Sequence, residues 1–241
     1  MKEIFLSIII PVFNEEKRIE NTILEIQKYL KNNLKNNFCE IFVVNDGSID
    51  KTEEVLLNLQ KSFSNLFYLN FPKNVGKGCA VKAGMLLTEG KYKLFMDADN
   101  SVKINNLEFF LQEIEKGFDI VVASIFLPES KIIHKNTFVS FYKKILGKIS
   151  RIFVRTFFLK NISDTQRGFK LFTKKAAEKT FKKQTIKRFA FDIEILLIAE
   201  KLNFKIKEIP VIWENSLDSR VKLKDYFSAL YDLLKIFFNM V

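Results

Sequence analysis

Five short apolar runs, Ile4–Val12, Glu40–Asn45, Leu66–Phe71, Tyr92–Met96 and Ile120–Phe126, alternate with stretches of helical spacing through the first half of this chain. Such alternation builds βαβ units, in which the strands run parallel and the connecting helices cover the sheet. Asn14 stands where the first helix needs a cap, and Ile19, Ile23, Ile26 and Leu30 fall on one helical face. Asp50 precedes a second helix in the same way, with Glu53 in capping-box spacing and Val55, Leu56 and Leu59 turned inward. Asn74-Val75-Gly76-Lys77-Gly78 reads as a tight turn opening a helix over Cys79–Thr88, which Gly90 ends, and Leu107–Lys116 as a further helix. With 48% hydrophobic residues in 241, and only 4 Pro and 8 Gly, the chain can fill one sizeable core with long regular elements. The expected fold is α/β, a mostly parallel sheet flanked by helices.

The composition changes near Leu127. Between Ser130 and Ser163 there is no Asp or Glu, while Lys131, Lys135, Lys143, Lys144, Lys148, Arg151, Arg155 and Lys160 all fall there, within a formal net charge of +11. Phe138–Phe158 has helical spacing, with Lys144, Lys148, Arg151 and Arg155 on one face and Ile145, Ile149, Ile152 and Phe153 on the other. That is an amphipathic helix suited to an anionic membrane surface. A core-packed helix shows the same periodicity, but its solvated face normally mixes signs. Phe189–Leu202 reads as a helix carrying Asp192 and Glu194, Phe204–Trp213 as a strand, and Asp225–Val241 as a second amphipathic helix. No stretch reaches the roughly 20 apolar residues of a membrane-spanning helix. Met1–Phe13 carries Lys2 and Glu3 and is expected to be the first strand rather than a signal peptide. The expected organisation is one domain over residues 1–222, in two halves of 1–126 and 127–222, followed by the helix of 223–241.

A single histidine, His134, excludes a multi-histidine zinc site and leaves Ser/His/Asp or Cys/His catalysis without support. Cys39 and Cys79 lie in apolar sequence without a C-x-x-C spacing, as in a reduced cytosolic setting. Carboxylates instead gather where strands one, two and four end: Glu15 after Asn14, then Asp46, then the triplet Asp97-Ala98-Asp99. In an open α/β sheet those ends converge on one ligand crevice. A pair of hard oxygen donors there suits Mg2+ or Mn2+ holding phosphates, the ion neutralising charge that develops on a leaving phosphate. A lone acidic triplet is more often a solvated turn, so the assignment rests on its company.

That company is specific. Pro11-Val-Phe-Asn-Glu15, Val43-Val-Asn-Asp-Gly-Ser48 with Asp50 and Thr52, Gly76-Lys-Gly78 and Asp97-Ala-Asp99 resemble, in this order, the motif series of the family 2 inverting glycosyltransferases with a GT-A fold. Asp164-Thr-Gln-Arg-Gly-Phe-Lys-Leu-Phe172, Arg188-Phe-Ala-Phe-Asp-Ile-Glu194 and Glu208-Ile-Pro-Val-Ile-Trp213 are similar to the dolichyl-phosphate β-glucosyltransferase branch, whose members move glucose from UDP-glucose onto a polyprenyl phosphate. Each motif alone is weak; the ordered series spans nearly the whole chain.

The resemblance implies roles position by position. Pro11, Phe13, Glu15, Val44 and Asp46 match positions around the nucleotide base and ribose, although Phe13 and Val44 serve strand-end packing equally well. Lys77 matches a glycine-flanked basic residue near the nucleotide. Asp97, Ala98 and Asp99 match the D-x-D segment at the diphosphate, with Asp97 and Asp99 as metal positions and Asp99 the better direct ligand of Mg2+ or Mn2+. Asp164 matches a carboxylate near the acceptor and is the candidate catalytic base, with Asp192 as the alternative. A phosphate monoester has a second pKa of about 6, so its attacking oxygen is already mostly anionic at neutral pH and Asp164 is expected to orient more than to deprotonate. Arg220 matches a basic position near one of the two phosphates, and Arg151, Arg155 and Arg167 are further cations. Residues 1–126 are then the nucleotide-sugar half and 127–222 the acceptor half. The partners implied are UDP-glucose, a polyprenyl phosphate and an anionic membrane surface, with no nucleic acid. The setting implied is peripheral, on the cytoplasmic face of the endoplasmic reticulum in a eukaryote or of the plasma membrane in a bacterium.

Three features depart from the pattern. Asn45 replaces the usual first aspartate before Asp46. Ser124-Ile125 stands where the family often has Ser-Arg, so a phosphate-binding arginine is missing from its usual place. Eukaryotic relatives of the branch carry an N-terminal membrane helix absent here, which leaves membrane contact to the basic helix and the C-terminal tail. GDP-mannose is the alternative donor, since sugar choice turns on a few pocket contacts. A sugar nucleotidyltransferase would show a Gly-rich phosphate loop after strand one, where this chain has Asn14-Glu15-Glu16. A non-enzymatic basic module for membrane or nucleic acid accounts for the charge, but apolar residues interleave the cations in a way that suits a bilayer better than a phosphate groove.

Overall fold

Seven of the nine residues of β1 (Ile4–Val12) are buried, because the strand lies inside a sheet with helices on both faces. The structure, a computed structural model, describes residues 3–133, 152, 154–156, 159, 161–214, 232, 233, 235 and 236. After β1 come α1 (Ile19–Asn33), β2 (Phe38–Asn45), α2 (Thr52–Ser62), β3 (Leu66–Asn70), α3 (Lys77–Leu87), β4 (Tyr92–Met96), α4 (Leu107–Glu115) and β5 (Ile120–Ser124). The second half adds β6 (Lys131–Ile133), β7 (Phe169–Thr173), α5 (Lys174–Lys183), α6 (Phe191–Lys201), β8 (Ile206–Pro210) and β9 (Ile212–Glu214). The main sheet has the order β3-β2-β1-β4-β7-β5-β8, and β6 and β9 form a separate ribbon. β1 runs parallel to β2 and β4, and β2 to β3, as the alternation of the first half requires.

β7 is the strand that the sequence does not announce. It sits between β4 and β5, antiparallel to both, so the sheet crosses the composition boundary at Leu127. Its second residue, Lys170, is fully buried, and a charge at that position hides the apolar signature of a central strand. The run Phe204–Trp213 divides in two. Pro210 pairs with Ser124 at the last register of β8 and has no N–H to extend the ladder, so the chain leaves β5 and joins β6 as β9.

Two cores form on the two faces. Ile8, Ile10, Leu94 and Met96 pack under α1, α2 and α4 with Ile19, Ile23, Ile26 and Leu30, whereas Ile9, Phe95 and Phe172 pack under α3, α5 and α6. Strict alternation along β1 and β4 sorts them. Of the basic helix expected over Phe138–Phe158, Ile152, Val154, Arg155 and Thr156 are helical; Val154 is buried in the second core and the other three are exposed. Leu233 and Ile236 of the expected C-terminal helix are buried in that same core. Asp232 and Lys235 of that helix are also described; His134, Arg151, Arg220 and the remainder of both helices lie outside the described residues.

The expected caps are replaced by loop contacts. Asn14 adopts φ 57°; it donates its N–H to Ser48 Oγ and accepts from Ile49 N, each at 2.8 Å. Asp50 accepts from Thr52 N at 3.0 Å, and Glu53 accepts from Asn70 Nδ2 instead of closing a capping box. Glu15 N donates to Thr52 Oγ1 at 2.8 Å, which stitches the loop after β1 to the loop after β2.

Candidate active site

The carboxyl ends of β1, β2 and β4 lie side by side, and the amino end of β7 joins them because that strand runs the opposite way. Asp97 leaves β4 here. Its N–H donates to Gly168 O at 2.9 Å, and its carboxylate pairs with Lys77 at 2.7 Å. A Cβ at residue 168 would lie 2.1 Å from Asp97 Cγ, so only glycine lets β7 start this close to the triplet. Ala98 is buried, its carbonyl accepting from Thr22 Oγ1 of α1 at 2.7 Å. Asp99 accepts from Ser101 N at 3.0 Å. Asp97 and Asp99 are both partly exposed, while the residue between them is pinned inward.

Asp46 builds the wall next to β2. Its carboxylate accepts from Val75 N at 2.7 Å, Gly76 N at 2.9 Å and Asn74 Nδ2 at 2.9 Å, and this curls the loop that leads into α3. Burial pushes the Asp46 carboxyl up, against the pull of the two backbone N–H groups and of Arg188. Gly76 takes φ 123°, and a Cβ there would meet Lys187 O at 2.4 Å. Asn45 braces the loop after β2, accepting from Ser48 N at 3.1 Å, and donates to Asn70 at the end of β3. Glu15 is nearly buried and pairs with Arg18 at 2.7 Å. Pro11 and Val44 are buried within their strands, and Phe13 is exposed at the end of β1.

Beneath the triplet lies a file of alternating charges. Lys77, the first residue of α3, stands 5.2 Å from the Phe95 ring centroid, and Lys170 stands 5.5 Å from it. Lys170 donates to Arg167 O at 2.6 Å and pairs with Asp192 in the first turn of α6. Burial opposes the charge on Lys77, but Asp97, Asp192 and Asp99 outweigh it and raise its pKa above the ordinary lysine value. Burial likewise raises the Asp192 carboxyl, with Lys170 and Lys77 pulling it back. Lys170 falls inside the Asp164–Phe172 motif, but the sequence gives it no role, since its partner Asp192 lies 22 residues further on.

Asp164 is buried on the opposite side of β7. It accepts from Ile125 N at 3.1 Å and from Gln166 N at 3.2 Å, and pairs with Arg167 at 3.1 Å. Glu208 of β8 holds the segment, accepting from Ser163 N and Asp164 N, each at 2.8 Å. Arg167 Cζ lies 5.0 Å from the Trp213 ring centroid. The structure thus brings Lys77, Asp97, Asp99 and Asp192 together, with Asp164 across β7 and Glu15 and Asp46 at the β1–β2 end.

Asp97 and Asp99 offer hard carboxylate oxygens two residues apart, and no cluster of three or more metal-ligating side chains occurs among the described residues. That donor set fits Mg2+ or Mn2+, which takes one or two carboxylates and completes its sphere with substrate phosphates and water.

Solved structures share this architecture, which is the GT-A fold. The chain resembles mannosyl-3-phosphoglycerate synthase from Rubrobacter xylanophilus with a TM-score of 0.70 at 15% identity, covering 96% of this chain and 72% of that one. It resembles glucosyl-3-phosphoglycerate synthase from Mycobacterium tuberculosis, solved with Mn2+, UDP and glucosyl-3-phosphoglycerate, with a TM-score of 0.68 at 17% identity, covering 96% and 79%. The chain belongs to glycosyl transferase family 2, whose model matches residues 7–181. Among curated relatives, a dolichyl-phosphate β-glucosyltransferase of Trichomonas vaginalis is 39% identical over 97% of this chain and 73% of its own length. The enzymes of that name from Dictyostelium discoideum and Saccharomyces cerevisiae are 38% and 33% identical, over 96% and 92% of this chain and 72% and 70% of their own lengths.

Proposed function

We propose that this glycosyltransferase moves glucose from UDP-glucose onto a dolichyl-type polyprenyl phosphate, with inversion at the anomeric carbon and release of UDP. The observation that carries the reading is 33–39% identity, over more than nine-tenths of the chain, to dolichyl-phosphate β-glucosyltransferases from three distant organisms. The geometry supports it: the partly exposed Asp97 and Asp99 stand at the strand ends above Lys77 and Lys170, a pairing of carboxylates and cations suited to a metal-bound sugar diphosphate.

Asp97 and Asp99 would hold Mg2+ or Mn2+, with Asp99 the more direct ligand. Once bound, the ion neutralises charge building on the leaving diphosphate. Lys77 presents its ammonium at the N-terminus of α3, where backbone N–H groups also favour an anion. Glu15 and Asp46, with Pro11, Phe13 and Val44 behind them, form the base and ribose end. An ionised oxygen of the acceptor phosphate attacks C1 of glucose as the bond from C1 to the UDP oxygen breaks, and the electron pair leaves with UDP. No proton has to be removed, because the monoester is largely a dianion above a pH of about 6. Asp164, whose oxygens are taken up by Ile125 N, Gln166 N and Arg167, therefore positions groups rather than acting as a base. Asp192 steadies Lys170 and Lys77, and Arg220 remains a candidate phosphate ligand. Residues 1–126 supply the donor half, 127–222 the acceptor side and 223–241 a covering helix. No helix among the described residues is long and apolar enough to cross a membrane. The reading sets its work at the cytoplasmic face of the membrane that carries its acceptor.

A screen of labelled nucleotide sugars against a short polyprenyl phosphate with Mn2+ or Mg2+ tests the reading. UDP-glucose is expected to label the lipid, GDP-mannose is not, and Asp99→Ala is expected to lower transfer at least a hundredfold. Lipid labelling only from GDP-mannose, or undiminished transfer by the variant, overturns it.

A further inference from the structure

We infer that Arg167 supplies the cation that receives the acceptor's phosphate monoester, taking over a place that Ile125 leaves without an arginine; this rests on the polyprenyl-phosphate reading above. The guanidinium is fixed on two sides. Its Nε lies 3.1 Å from Asp164 Oδ2 and 3.3 Å from Oδ1, and its Cζ lies 5.0 Å from the Trp213 ring centroid. The side chain is only 21% exposed. Among the described residues the guanidinium is held through Nε alone, and its two terminal NH2 groups make no hydrogen bond. A planar fork of this kind is matched by phosphate oxygens, and a partly buried guanidinium with open donors calls for an anion.

The location selects which phosphate. Asp164 Oδ2, which holds Arg167, also accepts the N–H of Ile125 at 3.1 Å. One carboxylate thus anchors the guanidinium beside the backbone of residue 125. Arg167 also precedes Gly168, whose carbonyl accepts the Asp97 N–H, so a phosphate on Arg167 stands next to the triplet. The donor diphosphate already has Lys77, which reaches Asp97 from α3 on the other side.

Arg167 instead shares its wall with the β6–β9 ribbon. Trp213 bridges to Val102, and Glu214 N donates to Ser101 O at 2.9 Å, which ties the ribbon to the segment after Asp99. Beside this junction the loop after β5 and the ribbon leave Phe126, Ile132, Ile133 and Ile212 exposed at 43%, 40%, 46% and 47%. A phosphate that carries a hydrocarbon chain uses such a border; a water-soluble phosphate has no use for it.

The test is steady-state transfer from UDP-glucose to a short-chain polyprenyl phosphate with Mn2+, using Arg167→Gln, Arg167→Lys and Trp213→Ala. In R167Q the KM for the lipid phosphate is expected to rise at least tenfold, while the KM for UDP-glucose and the calorimetric affinity for UDP stay within twofold. R167K recovers part of the loss, and W213A, which keeps the charge but removes its support, raises the acceptor KM by a smaller factor. In R167Q, Ile125→Arg restores the acceptor KM. An acceptor KM within twofold of the parent, or a loss that falls equally on UDP-glucose, overturns the assignment alone. Absence of lipid transfer by the parent chain overturns the functional reading, and this assignment with it.

Discussion

At the scale of the residue, the site depends on charges that protein, not water, keeps apart. Lys170 is fully buried and Asp192 nearly so, and each compensates the other. Removing one partner of such a pair strands the other charge at a cost of about 3–5 kcal/mol, whereas replacing both by apolar groups is often neutral. Lys170→Met is therefore expected to lower the urea midpoint steeply, and Lys170→Met with Asp192→Leu to recover most of it. A single variant as stable as the double one would show that the pair is not coupled. Thiol chemistry gives a second check. Burial pushes the Cys39 thiol up to about 11, so at pH 8 roughly a thousandth of it is thiolate and iodoacetamide should modify Cys79 well before Cys39. Equal labelling rates in the folded protein contradict this. The carboxylates of the site were legible because a charge ending an apolar run has few structural uses. Lys170 and Glu208 were not, because their work is done by partners distant in sequence.

Elements explain what single residues cannot. The four parallel strands β1 to β4 could be read directly, since each apolar run is followed by a helix of 3.6-residue periodicity. The place of β7 could not. Its position between β4 and β5 is decided by contacts across the chain, and its five residues show no alternation. Gly168 marks the join. Gly168→Ala drives a methyl group into the Asp97 carboxylate, so either β7 or the triplet must shift. The expected loss is about 1–3 kcal/mol of stability, as for other overpacked sites. A weaker apparent affinity for Mn2+ should accompany it, read from the metal dependence of transfer. Wild-type metal dependence would uncouple the β7 start from the triplet. The capping expectations at Asn14 and Asp50 failed for a related reason: Asn14 accepts from Ile49 N in the loop after β2, and Asp50 divides its carboxylate between Glu16 N across the loops and Thr52 N two residues on.

For the whole molecule, the net charge of +11 and the acid-free block from Ser130 to Ser163 predict binding to anionic vesicles that weakens with salt. Sedimentation with phosphatidylserine-containing vesicles at about 0.05 M NaCl is expected to bring the protein down, and about 0.5 M to release much of it, since the screening length falls to a few ångströms. Equal recovery on neutral vesicles would assign the attachment to apolar contact alone. The sheet order has a further outcome during synthesis. β5 is flanked by β7 and β8, both later in the chain, and the open side of β4 also waits for β7. A nascent chain that has just passed Ser124 therefore presents unpaired backbone at β4 and a hydrophobic fifth strand with no neighbour at all. Those edges close only after Pro210 has left the ribosome. Until then the half-made enzyme is a natural client for a holding chaperone and the stage most exposed to aggregation.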